Sequence, residues 1–144
     1  MKRFIAILAI SLALSFSAKA EERPIDVGQL PTTTLNFLST HFASADVAFA
    51  TVERELLDTD YEVRLTDGTT LDFDGRGNWT EISNKRSGVA STILPSAVGE
   101  YTSAQYPGEK FIKVERNRHG YEVKLTNGLE LHFTNDGKMI GYDN

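Results

Sequence analysis

The 144-residue chain has no cysteine and carries twenty acidic against fifteen basic residues, a formal net charge of −5. Without cysteine there can be no disulfide, thiol catalysis, zinc-thiolate site or lipid anchor on an N-terminal Cys, so packing alone must hold the fold. A net-acidic chain with scattered bases lacks the clustered Lys and Arg that neutralise phosphates, which argues against nucleic acid and anionic membrane as partners.

The N-terminus reads as a secretory signal peptide over residues 1–20. Lys2 and Arg3 precede an apolar run from Phe4 to Phe16, and Ala18-Lys19-Ala20 supplies a small-x-small cleavage site. The run is shorter than the roughly 18 residues needed to span a bilayer. The mature chain, residues 21–144, is therefore expected to be exported to the periplasm or secreted, without membrane insertion. Removing Lys2, Arg3 and Lys19 leaves twelve bases and a net charge of −8. The charge is uneven: residues 30–88 hold ten acids against five bases, and residues 89–144 seven against six.

Leu30-Pro31 opens a predicted helix of about three turns, since proline suits a first helical position, with Leu35, Leu38 and Phe42 along its apolar line. The periodicity then changes to two over residues 47–55, a strand. Tyr61, Val63 and Leu65 alternate with Glu62 and Arg64, Asp67-Gly68 makes the turn, and Leu71 and Phe73 alternate with Asp72 and Asp74. This is a β-hairpin, because Asp-Gly readily supplies positive φ. A turn at residues 75–78 leads into a fourth strand at 79–82.

The same order then recurs. Leu94-Pro95 opens a second helix, with Val98, Tyr101 and Gln105 expected along its apolar line, and Pro107-Gly108 closes it. Residues 111–118 form a strand, and Tyr121, Val123, Leu125, Asn127-Gly128, Leu131 and Phe133 repeat the hairpin. A turn at Asn135-Asp136-Gly137 leads into a last strand at 138–142. The segment 61–79 matches 121–139 at nine of nineteen positions, so the chain reads as a duplicated module. The fold class is α+β: a tandem duplication of a helix plus a four-stranded antiparallel sheet, in two layers. One unit of about 60 residues would be marginal alone. Repeats at about 30–82 and 94–142 are therefore expected to share one domain spanning 21–144.

Strict alternation gives each sheet an apolar face for the helix and a polar face toward water. The open face should carry Glu62, Arg64, Asp72, Asp74, Glu122, Lys124, Glu130 and His132. Whether the two sheets join or face each other is left open at this point.

Leu94-Pro95, Tyr106-Pro107-Gly108, Tyr121-Glu122-Val123, Asn127-Gly128 and Phe133 before an Asp-Gly turn together resemble the PepSY-like family of bacterial exported proteins. That family is described as similar in fold to β-lactamase-inhibitor protein. The first repeat departs from the pattern by having Phe42-Ala43-Ser44 in place of Tyr-Pro-Gly, and four extra residues before Tyr61. The resemblance implies a helix-plus-four-strand fold, export and no known catalytic residues. It names no target, and lactamase inhibition would rest on fold analogy alone.

The chemistry-bearing residues fall mostly into structural roles. Asp72, Asp74 and Asn78 crowd oxygen ligands around a turn, which suggests calcium, but an EF-hand count from Asp72 puts Arg76 at the fifth position and Ser83 at the twelfth. Turn geometry is the favoured explanation. The histidines, His41, His119 and His132, have no i, i+4 helical spacing. No serine lies in a Gly-x-Ser-x-Gly elbow. Trp79 aligns with Met139, which points to an apolar slot. No metal or cofactor is expected, and no enzyme. The leading expectation is a non-catalytic binding module whose face, Glu62, Arg64, Asp72, Glu122, Lys124, Glu130 and His132, takes an envelope or secreted protein or peptide. The alternatives are a calcium or carboxylate-hydrolase site at Asp72 and Asp74, and a structural envelope protein that self-associates through sheet edges.

Overall fold

The computed structural model describes residues 21–144; the expected signal peptide lies outside the described residues. β1 (Glu21–Ile25) precedes α1 (Thr32–His41), which is followed by β2 (Val47–Arg54), β3 (Thr59–Leu65), β4 (Thr70–Phe73) and β5 (Trp79–Ser83). After α2 (Ser96–Gln105) come β6 (Phe111–Asn117), β7 (Gly120–Leu125), β8 (Glu130–Phe133) and β9 (Met139–Asp143). The nine strands form one antiparallel sheet in chain order. The join left open by the sequence is β5 on β6, with Glu81 opposite Glu115, Ile82 opposite Val114 and Ser83 opposite Lys113. β1 was not foreseen. It is short and polar, with Pro24 inside it, and it occupies an edge, where a proline is tolerated.

Both helices pack on one face of the sheet. Val63, Leu71, Ile82, Val114, Val123 and Leu131 are fully buried beneath them. From α1, Phe37 meets Phe73 edge-on at 5.9 Å and lies 6.4 Å from Trp79; from α2, Tyr101 meets Phe133 edge-on at 5.7 Å. Pro31 and Pro95 sit one residue ahead of the expected first helical position, as extended N-cap residues. The carbonyl of Pro31 accepts the first helical hydrogen bond, from Leu35 N–H.

The expected apolar lines hold at Leu38 and Val98 and fail at Gln105, and each helix also turns a threonine inward. The buried helical residues are Thr34 and Leu38 in α1, and Val98 and Thr102 in α2. Leu35 is at the margin and Gln105 is exposed. An inward threonine does not register as apolar, yet each hydroxyl is satisfied. Thr34 Oγ1 donates to Gly77 O at 3.0 Å, and Thr102 Oγ1 donates to Val98 O within its own helix at 2.8 Å.

The turn between β4 and β5 presses on the start of α1. A Cβ at Gly77, whose φ is +87°, would lie 2.7 Å from Pro31 Cβ and 2.8 Å from Thr34 Oγ1, so only glycine fits. Four bulges keep the faces in phase. In β5, Trp79 pairs with Phe73 and Glu81 with Asp72, leaving Thr80 as the extra residue. Trp79 and Ile82, three apart, therefore both point into the core.

Candidate functional site

Among the described residues no helix covers the face opposite α1 and α2, and the side chains of that face fall into rows set by strand register. Successive pairings run Thr51–Glu62, Glu62–Asp72, Asp72–Glu81, Glu81–Glu115, Glu115–Glu122 and Glu122–His132. Five carboxylates on five adjacent strands thus stand in one line, about 19 Å long at about 4.8 Å per strand. The neighbouring row reads Phe49, Arg64, Thr70, Ser83, Lys113, Lys124, Glu130 and Asp143.

The second row supplies cations to part of the first. Arg64 Nε contacts Glu62 Oε1 at 2.9 Å, and its guanidinium lies 5.6 Å from the centre of the exposed Phe49 ring. Lys113 Nζ bridges Glu81 at 3.0 Å and Glu115 at 2.8 Å. Its hydrogen bonds to Glu115 and then Glu81 hold its ammonium well above the usual lysine range.

Among the described residues, no lysine or arginine pairs with Asp72 in this way. It is half-buried in mid-row, and burial first, then the charges of Glu62 and Glu81, push its carboxyl up to about 7. With Glu22, Glu53, Asp60 and Glu62 it lines an acidic depression of about 340 Å³. Toward the other edge, Glu122, Glu130 and His132 bring one ligand atom each to within 4.8 Å of one another. Burial, followed by a hydrogen bond with Glu130, raises the Glu122 carboxyl above the usual range. His132 Nε2 donates to Asp143 Oδ2 at 2.8 Å, and its Nδ1 lies 3.9 Å from Glu122 Oε2.

The structure therefore brings Glu62, Arg64, Asp72, Glu122, Lys124, Glu130 and His132 onto one surface. Asp74 and Asn78 are elsewhere. Both belong to the β4–β5 turn, where Asp74 Oδ1 accepts the N–H groups of Arg76 at 2.9 Å and Asn78 at 3.0 Å. That is how an Asx turn closes on itself. Sequence reasoning missed Glu81, Lys113 and Glu115, which fill the centre of the row. Their alternation with Ile82 and Val114 was legible, but their meeting depends on β5 pairing with β6.

Trp79 is buried, with the Arg116 guanidinium 4.6 Å from the centre of its ring. The same guanidinium donates to Trp79 O through Nε at 3.1 Å and Nη2 at 2.9 Å. His41 is the last residue of α1, its ring 4.7 Å from that of Phe37, and His119 occupies the β6–β7 turn. Among the described residues, no helix is long and apolar enough to cross a membrane.

A one-sided nine-stranded sheet, helices behind and an ordered polar face in front, defines an α+β protein of the helix-and-antiparallel-sheet kind. The chain belongs to the PepSY-like family, whose description is "putative beta-lactamase-inhibitor-like, PepSY-like" and whose model matches it twice, at residues 15–66 and 59–141.

Three crystal structures share the fold. One, from Bacteroides thetaiotaomicron, described as a "putative calcium-regulated periplasmic protein", is 39% identical with a TM-score of 0.81; the match covers 85% of this chain and 97% of that one. A protein from Bacteroides vulgatus described as a "putative periplasmic protein of unknown function" is 38% identical with a TM-score of 0.79, over 86% of this chain and 100% of that one. A second B. vulgatus protein, described as a "putative periplasmic protein", is 42% identical with a TM-score of 0.78, over 86% and 98%. A comparison with curated proteins finds no match. The family and these structures indicate no catalytic class.

Proposed function

We propose that this chain is a non-catalytic periplasmic binding protein, built from two copies of one helix-and-four-strand unit and acting as one domain over residues 21–144. Its ligand is an envelope protein or peptide that docks on the open sheet face. The observation that carries this reading is the continuous row Glu62, Asp72, Glu81, Glu115 and Glu122 beside Arg64, Lys113 and Lys124, on the face opposite α1 and α2. A charge pattern fixed by sheet register offers complementarity without rearrangement, and such patterns govern encounter and partner choice. The export signal in the sequence and the periplasmic descriptions of three relatives support the location.

The test is quantitative capture from an envelope extract by the native domain and two reversed forms, Arg64→Glu with Lys124→Glu, and Glu62→Lys with Glu122→Lys. Both reversals should weaken capture at least tenfold while leaving the fold intact. Equal capture by all three would refute the face.

A calcium-responsive role is the second reading, favoured by the description of the B. thetaiotaomicron relative and by the acidic depression around Asp72. Oxygen ligands of this kind suit calcium. A calcium-dependent rise in melting temperature that disappears in Asp72→Asn would support it, and no rise in the native protein would remove it.

A further inference from the structure

Two carboxylates of the open face converge on an imidazole. Glu62 pairs with Arg64, and Glu81 and Glu115 share Lys113. Among the described residues, Glu122 and Glu130 pair with no lysine or arginine. They converge instead on the His132 ring, directly across the β7–β8 ladder from Glu122. All three side chains are partly buried.

The imidazole is oriented from behind. Its Nε2–H donates to Asp143 Oδ2 at 2.8 Å, which turns Nδ1 toward Glu122 Oε2 at 3.9 Å. A metal-bound histidine is typically held this way, its second nitrogen donating to a carboxylate so that the ligating one keeps its lone pair forward.

We propose that Glu122, Glu130 and His132 form a binding site for a divalent first-row transition metal ion of the zinc class, with Asp143 fixing the imidazole and the remaining positions open to water. Ligands about 2.0 to 2.2 Å from such an ion lie about 3.3 Å apart in a tetrahedron. Small rotations of these partly exposed side chains bring atoms now within 4.8 Å to that spacing. The imidazole selects against calcium and magnesium, which take oxygen. The equivalent positions of the first half, Glu62, Thr70 and Asp72, have neither the histidine nor the second glutamate. Lys124, opposite Glu130 on the ladder, is the local competing cation. The site shares a face with the proposed docking surface but does not rest on that reading.

The test is titration of Zn²⁺ into the untagged domain 21–144, with stoichiometry and affinity read by calorimetry. One ion should bind per chain. Affinity should fall at least tenfold in His132→Gln and in Glu130→Gln, stay within twofold in Asp72→Asn, and rise severalfold in Lys124→Gln. Nitrogen NMR of the native imidazole should show the Nδ1 resonance of His132 moving on zinc addition, a readout independent of how the variants fold. Absence of saturable binding, undiminished affinity in His132→Gln or an unmoved Nδ1 would each overturn the site.

Discussion

Replacing Asp72 by asparagine should stabilise the protein, increasingly so as pH rises from about 4 to about 7. The carboxyl is half-buried between Glu62 and Glu81, which holds it near 7 in the fold against an ordinary value of 3.8. The folded chain therefore keeps this proton after the unfolded chain has lost it. The stability linked to Asp72 is complete below about 4 and lost as pH climbs through 7. The gap between 3.8 and about 7 corresponds to about 4 kcal/mol at 1.36 kcal/mol per pH unit. Water reaching the exposed half of the carboxyl reduces that to about 1–2 kcal/mol. An asparagine keeps the shape, can donate to Glu81 and never ionises. Thermal unfolding at pH 8 should thus show Asp72→Asn about 3–8 °C above the native protein, with the difference shrinking toward zero near pH 4. A constant difference at every pH, or none at pH 8, would refute the argument that register has placed this carboxyl between two others.

Other substitutions test the packing. Thr34→Val should cost about 1–2 kcal/mol in urea unfolding, because it leaves Gly77 O without its buried donor; Thr102→Val should cost less, since Val98 O keeps its helical partner. Phe133→Ala should cost about 3–5 kcal/mol by emptying the space beneath Tyr101. Gly120→Ala should abolish the folded state in expression and circular dichroism, because at φ +145° its Cβ would fall 1.9 Å from Phe133 O.

Much of the architecture could be read from periodicity and turn chemistry. Alternation over Tyr61 to Phe73 and Tyr121 to Phe133 located both hairpins, and Leu-Pro marked both helix starts to within a residue. Three things escaped for physical reasons. β1 has no apolar alternation, because of its five residues only Ile25 packs against the core. Thr34 and Thr102 face inward because each hydroxyl finds a carbonyl, which hydropathy does not register. The centre of the acid row arises only when Ile82 pairs with Val114, a long-range register that neither half encodes alone. His132 raised little suspicion of metal binding because Glu122 and Asp143 reach it from the two neighbouring strands, with no helical spacing to announce them.

The central claim, that the open sheet face is where a partner docks, is tested most directly by photo-crosslinking in living cells. A photoreactive residue replaces Thr70 or Ser83 in the second row of the face, or Ser103 on exposed α2 as the control. Thr70 and Ser83 should give the same single discrete adduct, and Ser103 none. Adducts from Ser103 alone, or from none of the three, would contradict the claim.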